Sequence, residues 1–133
     1  TLDLTERERR LIAACLILAT SGGRSTAATS GGRSTAATSG GRSTAATSGD
    51  ESTAATSGYW STAAVEGKDS IAVAAGFACK ARGALGCWLV LAERNDKGEI
   101  LDVQAVRVDG DTIKPDTLYT LTGGCVTEVG ADE

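Results

Sequence analysis

Three sets of side chains in this sequence have types and spacings that could do chemistry. The first is aromatic. Tyr59, Trp60 and Phe77 stand in a stretch otherwise made mostly of Gly, Ser, Thr and Ala, and Arg42 lies eighteen residues before Trp60. Aromatic faces beside a guanidinium hold sugars, peptides or other proteins through stacking and cation–π attraction. The second is a row of hydroxyls. Thr26, Thr44 and Thr62 recur at the same interval, and on a flat sheet such a row presents a lattice-like surface suited to ice. The third is acidic: Asp50, Glu51 and Asp69 in one region, Asp109, Asp111 and Asp116 in another. Carboxylates on turns could ligate calcium. The G-G-x-G-x-D calcium repeat is absent, and Arg fills the turns instead, so no metal site is expected.

The composition limits what else the chain can do. His is absent, which removes the commonest general base and the commonest zinc ligand. No nucleophile has a recognisable base partner, so no catalytic residue, no cofactor and no enzymatic activity are expected. The net charge of −4 argues against nucleic acid, which needs a clustered positive field. Cys15, Cys79, Cys87 and Cys125 form no C-x-x-C pair and are expected to be buried free thiols in a reducing compartment. The apolar run at residues 11–19 is too short to span a bilayer and lacks a clear cleavage site. The expectation is a cytoplasmic protein with no membrane partner.

What positions these side chains is a repeat. "TSGGRSTAA" occupies residues 20–28 and recurs unchanged at 29–37 and 38–46; "TSGDESTAA" and "TSGYWSTAA" follow. A short fixed period signals a solenoid. Each unit holds a short strand and a turn, and Gly returns every ninth residue from Gly22 to Gly76. A turn with positive φ would explain that glycine. One strand and one turn cannot close a loop of backbone, so two units make one flat, two-sided coil of eighteen residues. One edge then collects Gly23-Arg24, Gly41-Arg42, Tyr59-Trp60 and Phe77-Ala78. The other collects Gly32-Arg33, Asp50-Glu51 and Lys68-Asp69. Arg33 falls beside Glu51 at a rung spacing of about 4.8 Å.

Side chains alternate along a strand, and the degenerate units set the phase. Lys80 and Arg82 share the phase of Thr26 and Ala28, so that phase faces out. Ser25, Ala27 and Thr29, their repeats, and Cys79 and Ala81 face in. One outer face carries Thr26, Thr44, Thr62 and Lys80. The other carries Thr35, Thr53, Ile71 and Val73, and the eighteen-residue register extends it to Leu89 and Leu91. An apolar face of Ile71, Val73, Leu89 and Leu91 must be covered, either by the chain's own C-terminal segment or by a second copy; the second copy is the expected cover, giving a homodimer.

The flanks read differently. Residues 1–19 are expected to form a capping helix, with Thr5 and Glu8 as a capping box and Leu11, Cys15 and Leu18 at helical spacing. Residues 20–86 are the solenoid. Residues 87–133 are expected to form a small antiparallel cap, with a hairpin turn at 95–98, a turn at 109–111 and a last hairpin about Gly123-Gly124. The fold class is thus mainly β.

Two segments, "GALGCWLVL" and "RVDGDTIKPDT", resemble an uncharacterised family of bacterial and phage-associated proteins that joins Ser-Thr-Ala-Ala-x-Ser-Gly repeats to a C-terminal domain of unknown function. The repeats are also distantly similar to the β-solenoid heads of trimeric autotransporter adhesins, with a different unit length. The resemblance implies a solenoid with a β cap and carries no catalytic residues. The unchanged triplication of one unit points to recent duplication or an engineered repeat number. Two functions are expected from this sequence: a structural, self-associating scaffold, and recognition of ice or a glycan by the Thr face or the Tyr59, Trp60 and Phe77 edge.

Overall fold

The computed structural model describes residues 17–129, and among them every element is a β-strand. Short strands of four residues come first: β1 (Ile17–Thr20), β2 (Thr26–Thr29), β3 (Thr35–Thr38), β4 (Thr44–Thr47), β5 (Thr53–Thr56), β6 (Thr62–Val65), β7 (Ile71–Ala74) and β8 (Lys80–Gly83). Two longer strands follow, β9 (Trp88–Arg94) and β10 (Ile100–Arg107), and then two short ones, β11 (Tyr119–Thr122) and β12 (Cys125–Glu128). They form two six-stranded sheets. Sheet A runs β1-β3-β5-β7-β9-β10, and sheet B runs β12-β11-β8-β6-β4-β2. Odd and even units fall on opposite sheets, and Thr26 pairs with Thr44 as Thr35 pairs with Thr53. The chain is a two-sided β-solenoid with an eighteen-residue coil.

The alternation along the strands holds. Ala27, Ala45, Ala63 and Ala81 form one fully buried row, and Ala36, Ala54, Ala72 and Leu89 form the facing one. Side chains this small let the sheets approach closely, and the interior is correspondingly poor in apolar area. Backbone and serine bonds make up for it. The hydroxyl of Ser43 accepts from the N–H of Ser25 at 3.1 Å and donates to the carbonyl of Gly22 at 3.2 Å. Ser61 repeats this on Ser43 and Gly40, and Ser70 on Ser52 and Gly49. Cys79 and Cys87 end the two serine columns, their thiols directed at the carbonyls of Gly58 and Gly67.

The inward threonines behave otherwise. The hydroxyls of Thr29, Thr38, Thr47 and Thr56 are buried without a hydrogen-bond partner. Val65 occupies the position below Thr47 with no loss of packing. The hydroxyl is thus not what the position requires, and the same rows go on to Ala74 and Gly83.

The repeating glycine has a different cause from the expected one. Positive φ falls two residues later, at Arg24, Arg33, Arg42, Glu51, Trp60, Asp69 and Ala78, with φ between 53° and 60°. The first five of these, Arg24 to Trp60, donate their N–H to the next coil, as Arg42 does to the carbonyl of Tyr59 at 2.9 Å. The glycines are required by close approach. A Cβ at Gly40, Gly49, Gly58 or Gly67 would lie 2.1–2.2 Å from the carbonyl oxygen of the glycine one coil earlier, so a side chain there would hold the coils apart.

Two further expectations are corrected. The coil between β7 and β9 has seventeen residues, since Ile71 pairs with Trp88 and Ala72 with Leu89. Gly86, at φ 89°, makes the turn there one residue shorter. A one-residue slip moves every following side chain to the other face. Leu89 and Leu91 therefore point inward, 0% and 1% exposed, and Trp88 and Val90 take the outward places. Leu89 fills the space left by Gly83, where a Cβ would come 3.3 Å from its methyl. At the other end, the capping helix lies largely outside the described residues. Its last part does not: residues 17–19 are strand, pairing in parallel with Thr35, Ala36 and Ala37.

The C-terminal block is not a separate meander. β9 continues sheet A in parallel, and β10 returns beside it through the 95–98 turn, where the side chain of Asn95 accepts from the N–H groups of Lys97 and Glu99. The connection after β10 crosses the end of the last coil, burying Val108 and Ile113. Its backbone is tied at Val108 to Cys87 and at Asp116 to Gly83. β11 and β12 then extend sheet B. The block thus caps both sheets at once.

Candidate functional site

Two surfaces bring together residues singled out from the sequence. The first is the outer face of sheet A. Ile71 and Val73 lie in register with Trp88 and Val90, and these with Arg107 and Ala105 of β10. Val103 follows beside Ala92. Ile71, Trp88 and Val103 are 41%, 45% and 52% exposed. The result is an apolar strip running from the last repeat strand of sheet A onto β9 and β10, with Arg107 beside Trp88. The sequence missed Trp88, Val90 and Val103. The residues were visible, but their face depends on the seventeen-residue coil, and Gly86 was the available signal for it.

The second surface is the edge that carries Arg24, Arg42, Tyr59, Trp60 and Phe77. The coil geometry stacks these turns on one another, with Arg24 bonded to Gly41, Arg42 to Tyr59 and Trp60 to Phe77 through the backbone. The ring of Tyr59 lies against Gly41, where a Cβ would come 2.9 Å from it. Tyr59 and Trp60 remain 60% and 56% exposed. This edge has Arg24 and Arg42 in its repeat turns, and the 95–98 turn brings Asp96 and Lys97 beside Tyr59 and Phe77. The opposite edge is mixed in sign: Arg33 meets Glu51 at 3.1 Å, and Asp50 accepts from the N–H of Lys68 at 2.8 Å.

The C-terminal hairpin turns the aromatic edge into a cleft, which the sequence did not reveal. β11 pairs with β8 only at Tyr119 and Ala81, with the hydroxyl of Thr120 donating to the carbonyl of Cys79. Beyond that point the hairpin leaves β8 and is anchored to sheet A instead. The Glu93 carboxylate accepts from the N–H groups of Gly123 and Gly124, at 2.6 and 3.1 Å, and Gln104 donates to the carbonyl of Gly124. The gap between the two anchor points is a cleft of about 560 Å³. Trp60 and Phe77 line one side, Leu121 and Val129 another, and Lys80, Glu93 and Arg94 bring charge of both signs to it.

The remaining candidates are dispersed. Thr26, Thr44 and Thr62 do form one in-register row on the outer face of sheet B, ending at Lys80. Thr44 and Thr62 are only half exposed. Asp109 serves its own loop: the N–H of Asp111 first, then that of Ile113, hold its carboxyl below the ordinary range. Among the described residues no His, Cys, Asp and Glu converge in a group that could hold a metal ion, and no helix is long and apolar enough to cross a membrane. Cys79 and Cys87 are buried free thiols, whereas Cys125 is exposed on β12, contrary to expectation.

No family model, no curated protein and no solved structure matches this chain. The fold is that of a β-solenoid repeat protein of unknown family.

Proposed function

We propose that the chain is a non-enzymatic structural module that self-associates through the outer face of sheet A. One observation carries this reading: the apolar strip of Ile71, Val73, Trp88, Val90 and Val103 on an outward sheet face. Large contiguous apolar patches on soluble proteins mark interaction sites. The partner on this reading is a second copy, with neither nucleic acid nor membrane involved.

The test is the mass in solution by light scattering, on the parent chain and on Ile71→Asp/Val103→Asp. A dimer that the double change splits into monomers is the expected result. A monomeric parent at high concentration sinks the proposal.

A second reading is recognition of a ligand at the edge of Tyr59, Trp60 and Phe77. The cleft beside Trp60 and Phe77 favours it, because an exposed edge alone would offer no enclosure.

A further inference from the structure

We infer that the cleft beneath the C-terminal hairpin binds a small, uncharged aromatic molecule. This deepens the second reading above and rests on it. The volume of about 560 Å³ lies within the usual range for small-molecule sites, roughly 300–1,000 Å³. Such sites join apolar and aromatic walls to a few polar groups. The class of ligand follows from which of those polar groups are left to bind it.

The charged and hydroxyl side chains of the lining are Lys80, Glu93, Arg94, Thr120 and Thr122. Most of them hold the walls of the cleft together. The Glu93 carboxylate accepts from the N–H groups of Gly123 and Gly124 and so fastens the hairpin tip. Arg94 donates to the carbonyls of Ala75 and Gly98, at 2.6 and 2.8 Å. The hydroxyl of Thr120 donates to the carbonyl of Cys79 at 2.9 Å. Lys80 is engaged as well. Thr122, at the exposed end of β11, is the remaining one. Glu93 and Arg94 are both held by neutral backbone groups, so each keeps its charge, and the two oppose one another within the cleft. Asp96 and Lys97 repeat this opposition in the turn beside Tyr59 and Phe77. Neither an anion nor a cation therefore meets an unopposed counter-charge, and either would give up its hydration for little in return.

What the cleft offers is the surface of Trp60, Phe77, Leu121 and Val129. The Trp60 ring is 56% exposed and so has a face open to stacking. An aromatic ring packs on such a face and needs no hydrogen bond when buried. A sugar would stack on the same indole, but its buried hydroxyls would lack partners.

Trp60 is open to substitution. It occupies a left-handed turn position that Arg42 and Ala78 also fill, at φ 56° and 53°. Trp60→Ala thus installs a residue the array already uses there, and it leaves the hairpin's anchors in place.

The experiment is calorimetric titration of the full chain with four probes: neutral 2-naphthalenemethanol, anionic 2-naphthoate, cationic 2-naphthylmethylammonium and methyl β-glucoside. The neutral aromatic should bind about tenfold tighter than either ion, which loses hydration without a free partner, and the glucoside should not bind. Trp60→Ala should remove binding while the circular dichroism stays that of the parent, and Phe77→Leu should weaken it several-fold. Either ion binding as tightly as the alcohol overturns the uncharged assignment, and the glucoside doing so overturns the aromatic one; both results leave this edge as a ligand site. Binding lost in Ile71→Asp/Val103→Asp but kept in Trp60→Ala puts the probe on the outer face of sheet A and overturns the cleft. Binding of none of the four overturns this inference together with the reading of the edge as a ligand site.

Discussion

The repeat coils and the C-terminal block share two continuous sheets and are held together by different forces. Between Ser25 and Cys79 the buried side chains are Ala, Ser and Thr with one Val. Cohesion there comes from rung-to-rung pairing, from serine columns that bond to the coil before, and from glycines that let backbone touch backbone. In the block, Leu89, Leu91, Val108, Ile113, Tyr119 and Leu121 make a conventional apolar core. The coils depend on shape at the backbone, and the block depends on area removed from water. The difference teaches where each part is intolerant. The coils fail when a small residue is enlarged, and the block fails when a large one is cut back. It also explains the cleft beside Trp60 and Phe77, since the hairpin that encloses it belongs to the block.

The comparison can be broken most sharply at a coil glycine. Gly58→Ala places a methyl 2.2 Å from the carbonyl oxygen of Gly40 and 2.9 Å from that of Ser39, both backbone atoms of the coil before. It should cost about 4 kcal/mol or more, beyond the roughly 1–3 kcal/mol of ordinary overpacking. Gly98→Ala is the control: φ is 83° but no atom lies within 4 Å, so the cost should stay near 1–2 kcal/mol. Denaturant unfolding of both variants checks this, and equal losses would mean that close approach is not what the coil glycines provide.

Next in size is the block. Leu91→Ala empties a site that is 1% exposed and should cost about 3 kcal/mol, within the usual 2–5 for a buried leucine. Ala54→Gly in the coils, by contrast, should cost only about 1 kcal/mol. Chemical denaturation of the pair measures the contrast between area and shape directly.

The smallest effect has the opposite sign. Thr47→Val replaces a buried hydroxyl that has no partner with the side chain already present one coil on, at Val65. It should raise stability by about 1 kcal/mol, the low end of the cost of an unpaired buried polar group. Ser61→Ala should lower it, because that hydroxyl bonds to both Gly40 and Ser43. If Thr47→Val lowered the midpoint of thermal unfolding, the threonine rows would have to be read as bonded like the serine columns.

By itself the sequence determined the coil. A nine-residue unit with one strand and one turn has to pair with its second neighbour, so the eighteen-residue register, the facing rows of alanine and the meeting of Arg33 with Glu51 all follow from spacing. It also set which phase points inward, because Lys80 and Arg82 cannot be buried unpaired. What it did not determine were features that depend on contacts far apart in the chain. The glycine period looked the same whether its cause was a left-handed turn or a backbone contact one coil away, and only the stacked coils distinguish these. Leu89 and Leu91 stood in the outward register until one residue lost near Gly86 turned them inward, and in a strand a single residue reverses the face. The cleft is the clearest case. It exists because Glu93 and Gln104 on sheet A draw the tip of the β11–β12 hairpin away from β8, and no local pattern in the chain records a bond made thirty residues away.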